Sequence, residues 1–128
     1  MTNTRCVAAV GLLSAVLLGS CSNNTGPVAG ALNVSISSPQ LDDGALMLSV
    51  YGGPVDSVES VGFTIYSIRV ADSVKFIVAG SLGSGAVARI HIPDGRQASR
   101  YSASVSQVAA RVSYTPRDPT AYSVSLLP

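Results

Sequence analysis

Tryptophan is absent from this 128-residue chain, phenylalanine occurs twice and histidine once. The indole rings that most often stack on sugars are therefore missing. Charged residues make up 12% of the sequence. Past position 21, six arginines and one lysine stand against six aspartates and one glutamate, a balance of zero. Nucleic-acid binding needs a basic surface that displaces counterions, so nucleic acid is excluded as a partner. With two cysteines and one histidine, the spacings of ordinary structural zinc sites cannot be built. The longest apolar run, Cys6 to Leu18, has 13 residues with Gly11 in its middle. A membrane-crossing helix needs roughly 20. There is no internal repeat and no sustained helical periodicity.

What is present begins at the amino terminus. Arg5 and the terminal amine form a short positive region ahead of the Cys6–Leu18 run, which has the length of a signal-peptide core. Small residues then lead into Leu18-Gly19-Ser20-Cys21. This stretch resembles the lipobox of bacterial lipoproteins. The resemblance implies a signal helix over 1–20, cleaved before Cys21, and attachment of diacylglycerol and palmitate-type acyl chains to the Cys21 thiol. It also implies that the mature chain keeps no thiol able to form a disulfide, so burial and ladder hydrogen bonds must hold the fold. Ser22, where some lipoproteins carry Asp, resembles the pattern that permits sorting to the outer membrane. The expected localisation is thus the bacterial cell envelope, with the membrane as a partner through the lipid on Cys21.

Residues 21–30 read as the lipidated cysteine and a flexible linker, rich in Ser, Asn, Gly and Pro. From Ala31 to Pro128 the pattern turns to period two. Leu32, Val34 and Ile36 alternate with Asn33, Ser35 and Ser37, and Leu46, Leu48 and Val50 form a second inward row. Gly52-Gly53-Pro54 breaks that strand. In Val61–Val70 the phase slips: Val61, Phe63 and Ile65 share one face, Tyr66, Ile68 and Val70 the other, as a β-bulge near Ile65-Tyr66 would produce. Val74–Ala79 and Ala86–Ile92 are further runs, followed by those around Tyr101–Val105 and Tyr122–Leu126. Gln107–Arg111 reads as strand continuation or a single turn. About seven short β-branched runs between Gly/Pro turns predict an all-β antiparallel sandwich. Its expected core is Leu32, Val34, Ile36, Leu46, Leu48, Val50, Phe63, Ile90, Ile92, Val105 and Val124, with Tyr101 and Tyr122 inward and Tyr51 and Tyr114 near exposed strand ends. The opening hairpin, Leu32-x-Val34-x-Ile36, a turn with Pro39, then Asp43-Gly44-Ala45-Leu46 into Leu48-x-Val50, resembles the hairpins of cohesin-like and carbohydrate-binding sandwiches of bacterial surface proteins.

The inventory of reactive side chains is short. His91, placed outward beside Arg89 by the phase of Ile90 and Ile92, has no nucleophile and orienting acid at a recognisable spacing. Asp42-Asp43-Gly44 offers two carboxylates to a calcium ion, which wants six to eight oxygens, but is also what a tight turn requires. Gly80–Gly85 lacks the Lys-Ser/Thr and the helix of a phosphate loop and reads as a hairpin connection. No catalytic residue, metal site or cofactor is expected. Arg100, Arg111, Tyr114 and Arg117 have the composition of a protein-contact patch. The expected function is a non-catalytic, membrane-anchored interaction or structural module acting on an envelope protein or glycan. The alternative, implied by the sandwich resemblance, is a carbohydrate or cell-wall binding module.

Overall fold

The computed structural model describes residues 26–128; the expected signal peptide and Cys21 lie outside the described residues. Among the described residues nine strands form two antiparallel sheets. In chain order they are β1 (Gly30–Ser37), β2 (Asp43–Tyr51), β3 (Ser57–Ser60), β4 (Thr64–Val70), β5 (Ser73–Leu82), β6 (Gly85–Ile92), β7 (Ser102–Ala110), β8 (Pro116–Arg117) and β9 (Ser123–Leu127). Two 3-10 turns intervene, η1 (Gly95–Arg100) and η2 (Pro119–Ala121). The four-stranded sheet has the order β3-β6-β1-β9 and the five-stranded sheet β4-β5-β2-β7-β8. The sandwich is therefore the predicted class, with two short strands, β3 and β8, beyond the seven runs. Their four and two residues are too few to show a period.

Alternation decides which side of each strand faces the partner sheet. Leu32, Val34 and Ile36 on β1, Ile90 and Ile92 on β6, and Leu46, Leu48 and Val50 on β2 are all buried, as expected. Phe63, Val105 and Val124 are partly buried against the same core. Phe76, Val78, Val87 and Leu82 complete it, together with the rings of Tyr101 and Tyr122. Fully burying each such aliphatic or aromatic side chain is worth about 1.5–3 kcal/mol, and with no disulfide among the described residues this burial has to offset the entropy of ordering the chain.

Two local expectations are corrected, and the open choice at Gln107–Arg111 is decided for strand continuation. β4 pairs with β5 in unbroken register from Thr64↔Ala79 to Val70↔Ser73, so the phase slip is not a bulge. Ile65 faces inward and Tyr66, Ile68 and Val70 face outward on one regular strand. The Gly80–Gly85 connection shrinks to Gly83-Ser84, because β5 continues to Leu82 and β6 starts at Gly85, and it is no hairpin: it crosses from one sheet to the other, as does the β1–β2 connection, also expected as a hairpin. Gln107–Ala110 belongs to β7, whose register shifts beside Met47/Leu48.

The two ends of the sandwich differ. At one end lie the start of β1, η1, the end of β2 and the β4–β5 turn at Ala71-Asp72. Here the Val28 carbonyl accepts a hydrogen bond from Gly95 N–H at 2.7 Å, so the chain is fixed to the domain already at Val28, inside the segment read as linker. Gly52 follows β2 with φ of +114°, and a Cβ there would meet the Arg100 carbonyl oxygen at 2.0 Å. Only glycine permits this close approach of the β2 end to η1. Tyr101, just past η1, donates its hydroxyl hydrogen to the Pro54 carbonyl at 2.6 Å. At the opposite end lie the β1–β2 connection, the start of β2, the β7–β8 turn and η2.

Candidate functional site

The densest polar cluster forms where β2 begins. Asp43, read as a turn residue, is fully buried. Its Oδ1 accepts hydrogen bonds from Arg117 Nη1 at 2.6 Å and from the Tyr122 hydroxyl at 2.7 Å. Its Oδ2 accepts one from Ser38 Oγ at 2.5 Å. Arg117 also bonds Asp42 Oδ1 through Nη2 at 2.8 Å. Burial pushes the Asp43 pKa up, but hydrogen bonds from Ser38, Tyr122 and Arg117 outweigh it and hold the carboxyl below its ordinary value. Arg117 is raised in turn by its bonds to Asp42 and Asp43. Both carboxylates that a calcium ion would need are thus bonded to one guanidinium. Among the described residues no three His, Cys, Asp or Glu side chains converge on a possible metal position.

This arrangement also sorts the residues of the expected contact patch. Arg111, Tyr114 and Arg117 share the Asp43 end, where Arg111 N–H donates to the Asp42 carbonyl at 2.8 Å. Tyr114 is 77% exposed in the turn after β7, with φ of +56°. Arg117, whose guanidinium points into the cluster, is a clasp for the β1–β2 connection. Arg100 lies at the other end, beside Gly52, with the length of β2, about 30 Å, between it and the rest. The four residues therefore do not form one patch.

His91 and Arg89 stand on the outward face of β6, as expected. Their partner Glu59 comes from β3: it sits directly opposite Arg89 in register, and its Oε2 lies 2.8 Å from His91 Nε2. Both side chains are well exposed, so water screens the pair. His91→Ala should change stability by less than about 1 kcal/mol in urea unfolding, as for exposed pairs generally. The remaining carboxylates with shifted pKa values hold the ends of turns. Asp94 Oδ1 accepts from Arg96 N–H at 3.1 Å at the start of η1, and Asp118 Oδ1 accepts from Thr120 N–H at 3.0 Å at the start of η2. Hydrogen bonds from Arg96 and from Thr120 respectively keep both below their ordinary values.

The exposed tyrosines are dispersed. Tyr51 ends β2 beside η1, Tyr114 occupies the opposite end, and Tyr66 projects from the middle of β4. Tyr66 belongs to an apolar outer surface of the five-stranded sheet that sequence reasoning missed. The signal for it is the pair of apolar phases in Val61–Val70, which a bulge would explain equally well. No family model matches the chain, and no curated protein or solved structure matches it either.

Proposed function

We propose that this chain is a lipid-anchored, non-catalytic interaction module of the bacterial cell envelope, acylated on Cys21. The observation that carries the reading is Leu18-Gly19-Ser20-Cys21, standing directly behind a signal-length apolar run and seven residues before Val28, where the chain joins the sandwich. Seven residue steps span at most about 25 Å, so the η1 end is held near the bilayer. The Asp43 end, with Arg111 and Tyr114, then projects away from it. The work done by five of the seven acidic residues past position 21 supports a non-catalytic role: Asp42 and Asp43 hold Arg117, Asp94 and Asp118 cap turns, and Glu59 braces His91. Dispersal of Tyr51, Tyr66 and Tyr114 over both ends and one face favours a protein partner over a glycan, which would stack on a shared aromatic platform.

Cys21→Ala should leave the precursor unprocessed or move the protein out of the detergent-extracted membrane fraction. Unchanged partitioning would overturn the anchoring. For the wild type, density-gradient fractionation should place the protein with the outer membrane, and crosslinking in intact cells through Tyr114 should capture the partner.

A further inference from the structure

Outward positions of the two sheets differ in chemistry. On the four-stranded sheet they are mostly small or charged, Asn33, Ser35, Glu59, Arg89, His91 and Ser125, with Leu127 opposite Asn33 on the β9 edge the large apolar exception. On the five-stranded sheet, Tyr66, Ile77, Met47 and Gln107 form one row across four strands, and Ala79, Ala45 and Ala109 the next. Tyr66 is 67% and Ile68 63% exposed, and Val70 extends the edge. Lys75 is the one charged residue at the outward positions of β2, β4, β5 and β7. Beside the rows, Pro116 and Pro119 wall a groove of about 480 Å³ floored by Ala45, Met47 and Ala109. The apolar part of the face is these two rows, interrupted by Thr64 and Gln107, together with Ile68 and Val70 on the β4 edge; the row of Lys75, Ser49 and Ser104 borders it. A clustered apolar surface of this kind marks an interaction site.

We propose that a second copy of this chain covers this face, sheet against sheet, around a two-fold axis running parallel to the strands above β2. Three features select that occupant. The first is area. Five strands about 4.8 Å apart and about 3.4 Å per residue present roughly 600 Å² per copy when the apolar rows and the bordering Ser and Lys75 rows are taken together, so the pair covers about 1,200 Å², the lower bound for a specific interface.

The second is self-complementarity. Such an axis preserves height along the strands and exchanges the two sides of the sheet. It sets the protruding Tyr66 edge of one copy towards the Pro116–Pro119 groove side of the other. It also places Lys75 opposite the second copy's Ser104, since Lys75, Ser49 and Ser104 share a row, and keeps the two Lys75 ammonium groups apart.

The third is direction, which rests on the anchoring proposed above. With the axis along the strands, both η1 ends point the same way, and two lipids can enter one bilayer. The competing contact is edge pairing of β9, which carries no charged residue to guard it. Antiparallel pairing of two β9 strands turns the axis across the strands and sends the two tethers in opposite directions.

The test uses the full chain in cells, with one cysteine added by Met47→Cys, close to the axis, or by Ser35→Cys on the other sheet as control. Mild oxidation should give a disulfide-linked dimer for Met47→Cys several-fold more than for Ser35→Cys. The purified wild type in detergent should sediment as a dimer and Tyr66→Glu as a monomer with an unchanged circular dichroism spectrum. A monomeric wild type, or equal crosslinking at both positions, would overturn the proposal. So would quenching, by a lipid-borne nitroxide in phosphatidylcholine vesicles, of a fluorophore attached to the thiol of Met47→Cys, which would place the face on the bilayer itself. Membrane partitioning of Cys21→Ala reads out anchoring separately: if anchoring fails, sedimentation still decides whether the face pairs.

Discussion

Replacing Asp43 with alanine is expected to destabilise the domain by about 3–5 kcal/mol, the usual cost of removing one partner from a buried ion pair. The carboxylate has no contact with solvent and receives three hydrogen bonds, from Arg117, Tyr122 and Ser38. These donors come from the β1–β2 connection, from β8 and from the segment entering β9, so one side chain ties three separate stretches of chain to the start of β2. Alanine leaves the Tyr122 hydroxyl, itself buried, without its acceptor, and the Arg117 guanidinium facing an apolar methyl group. Urea unfolding followed by far-ultraviolet circular dichroism checks the magnitude. The pH dependence has a definite sign. Because the folded-state pKa of Asp43 lies below its unfolded value, its contribution is complete above the unfolded value of about 3.8 and disappears as pH falls through the folded one. The stability gap between wild type and Asp43→Ala should therefore narrow in acid, below about pH 4. A gap that stays constant from neutral pH to about pH 2 would show that the ion pair is not the source of the loss.

Phe76→Ala should cost about 3–5 kcal/mol, the range for removing a buried aromatic side chain from a core that cannot close around the cavity. Phe76 is 1% exposed, lies opposite Leu48 on β2 and Ser67 on β4, and heads the fully buried side chains by volume. Its neighbours on both strands are held in ladders, which limits relaxation into the space. The denaturation midpoint should fall with little change in the slope of the urea dependence. A loss below about 1 kcal/mol would mean that the two sheets close over the vacancy and that the core is softer than its burial indicates.

Phe76 also shows where period-two reading stops. In Val74–Ala79 every position but one is apolar, so the choice of Phe76 and Val78 over Ile77 and Ala79 as core residues rests on Lys75 alone. β4 has the same ambiguity, and there the two apolar phases suggest a bulge that the register with β5 excludes. By contrast, β1 has Asn33, Ser35 and Ser37 alternating with Leu32, Val34 and Ile36, and in β2 Leu46, Leu48 and Val50 alternate with Met47, Ser49 and Tyr51. Those two strands declare their inner faces in their own residue pattern. The candidate site was legible in part. Tyr114 and Tyr51 are exposed and Tyr101 and Tyr122 are buried, as their positions suggest. The role of Asp43 was hidden, because Asp-Asp-Gly satisfies turn chemistry and its ion-pair partner is 74 residues away.

Local covalent order was enough to determine the all-β class and the strand-forming runs, because each depends on residues within a few positions of one another. Tertiary structure decided the rest: that Arg117 turns inward to Asp43, that Arg100 stands a strand length from Arg111 and Tyr114, that Glu59 meets His91, and that Tyr66, Ile68, Ile77 and Met47 share one outer surface. The physical reason is the same in each case. Which face of a doubly apolar strand is covered, and which charge a buried carboxylate finds, are properties of strand order and register between segments distant in sequence, and each strand's own pattern is compatible with either outcome.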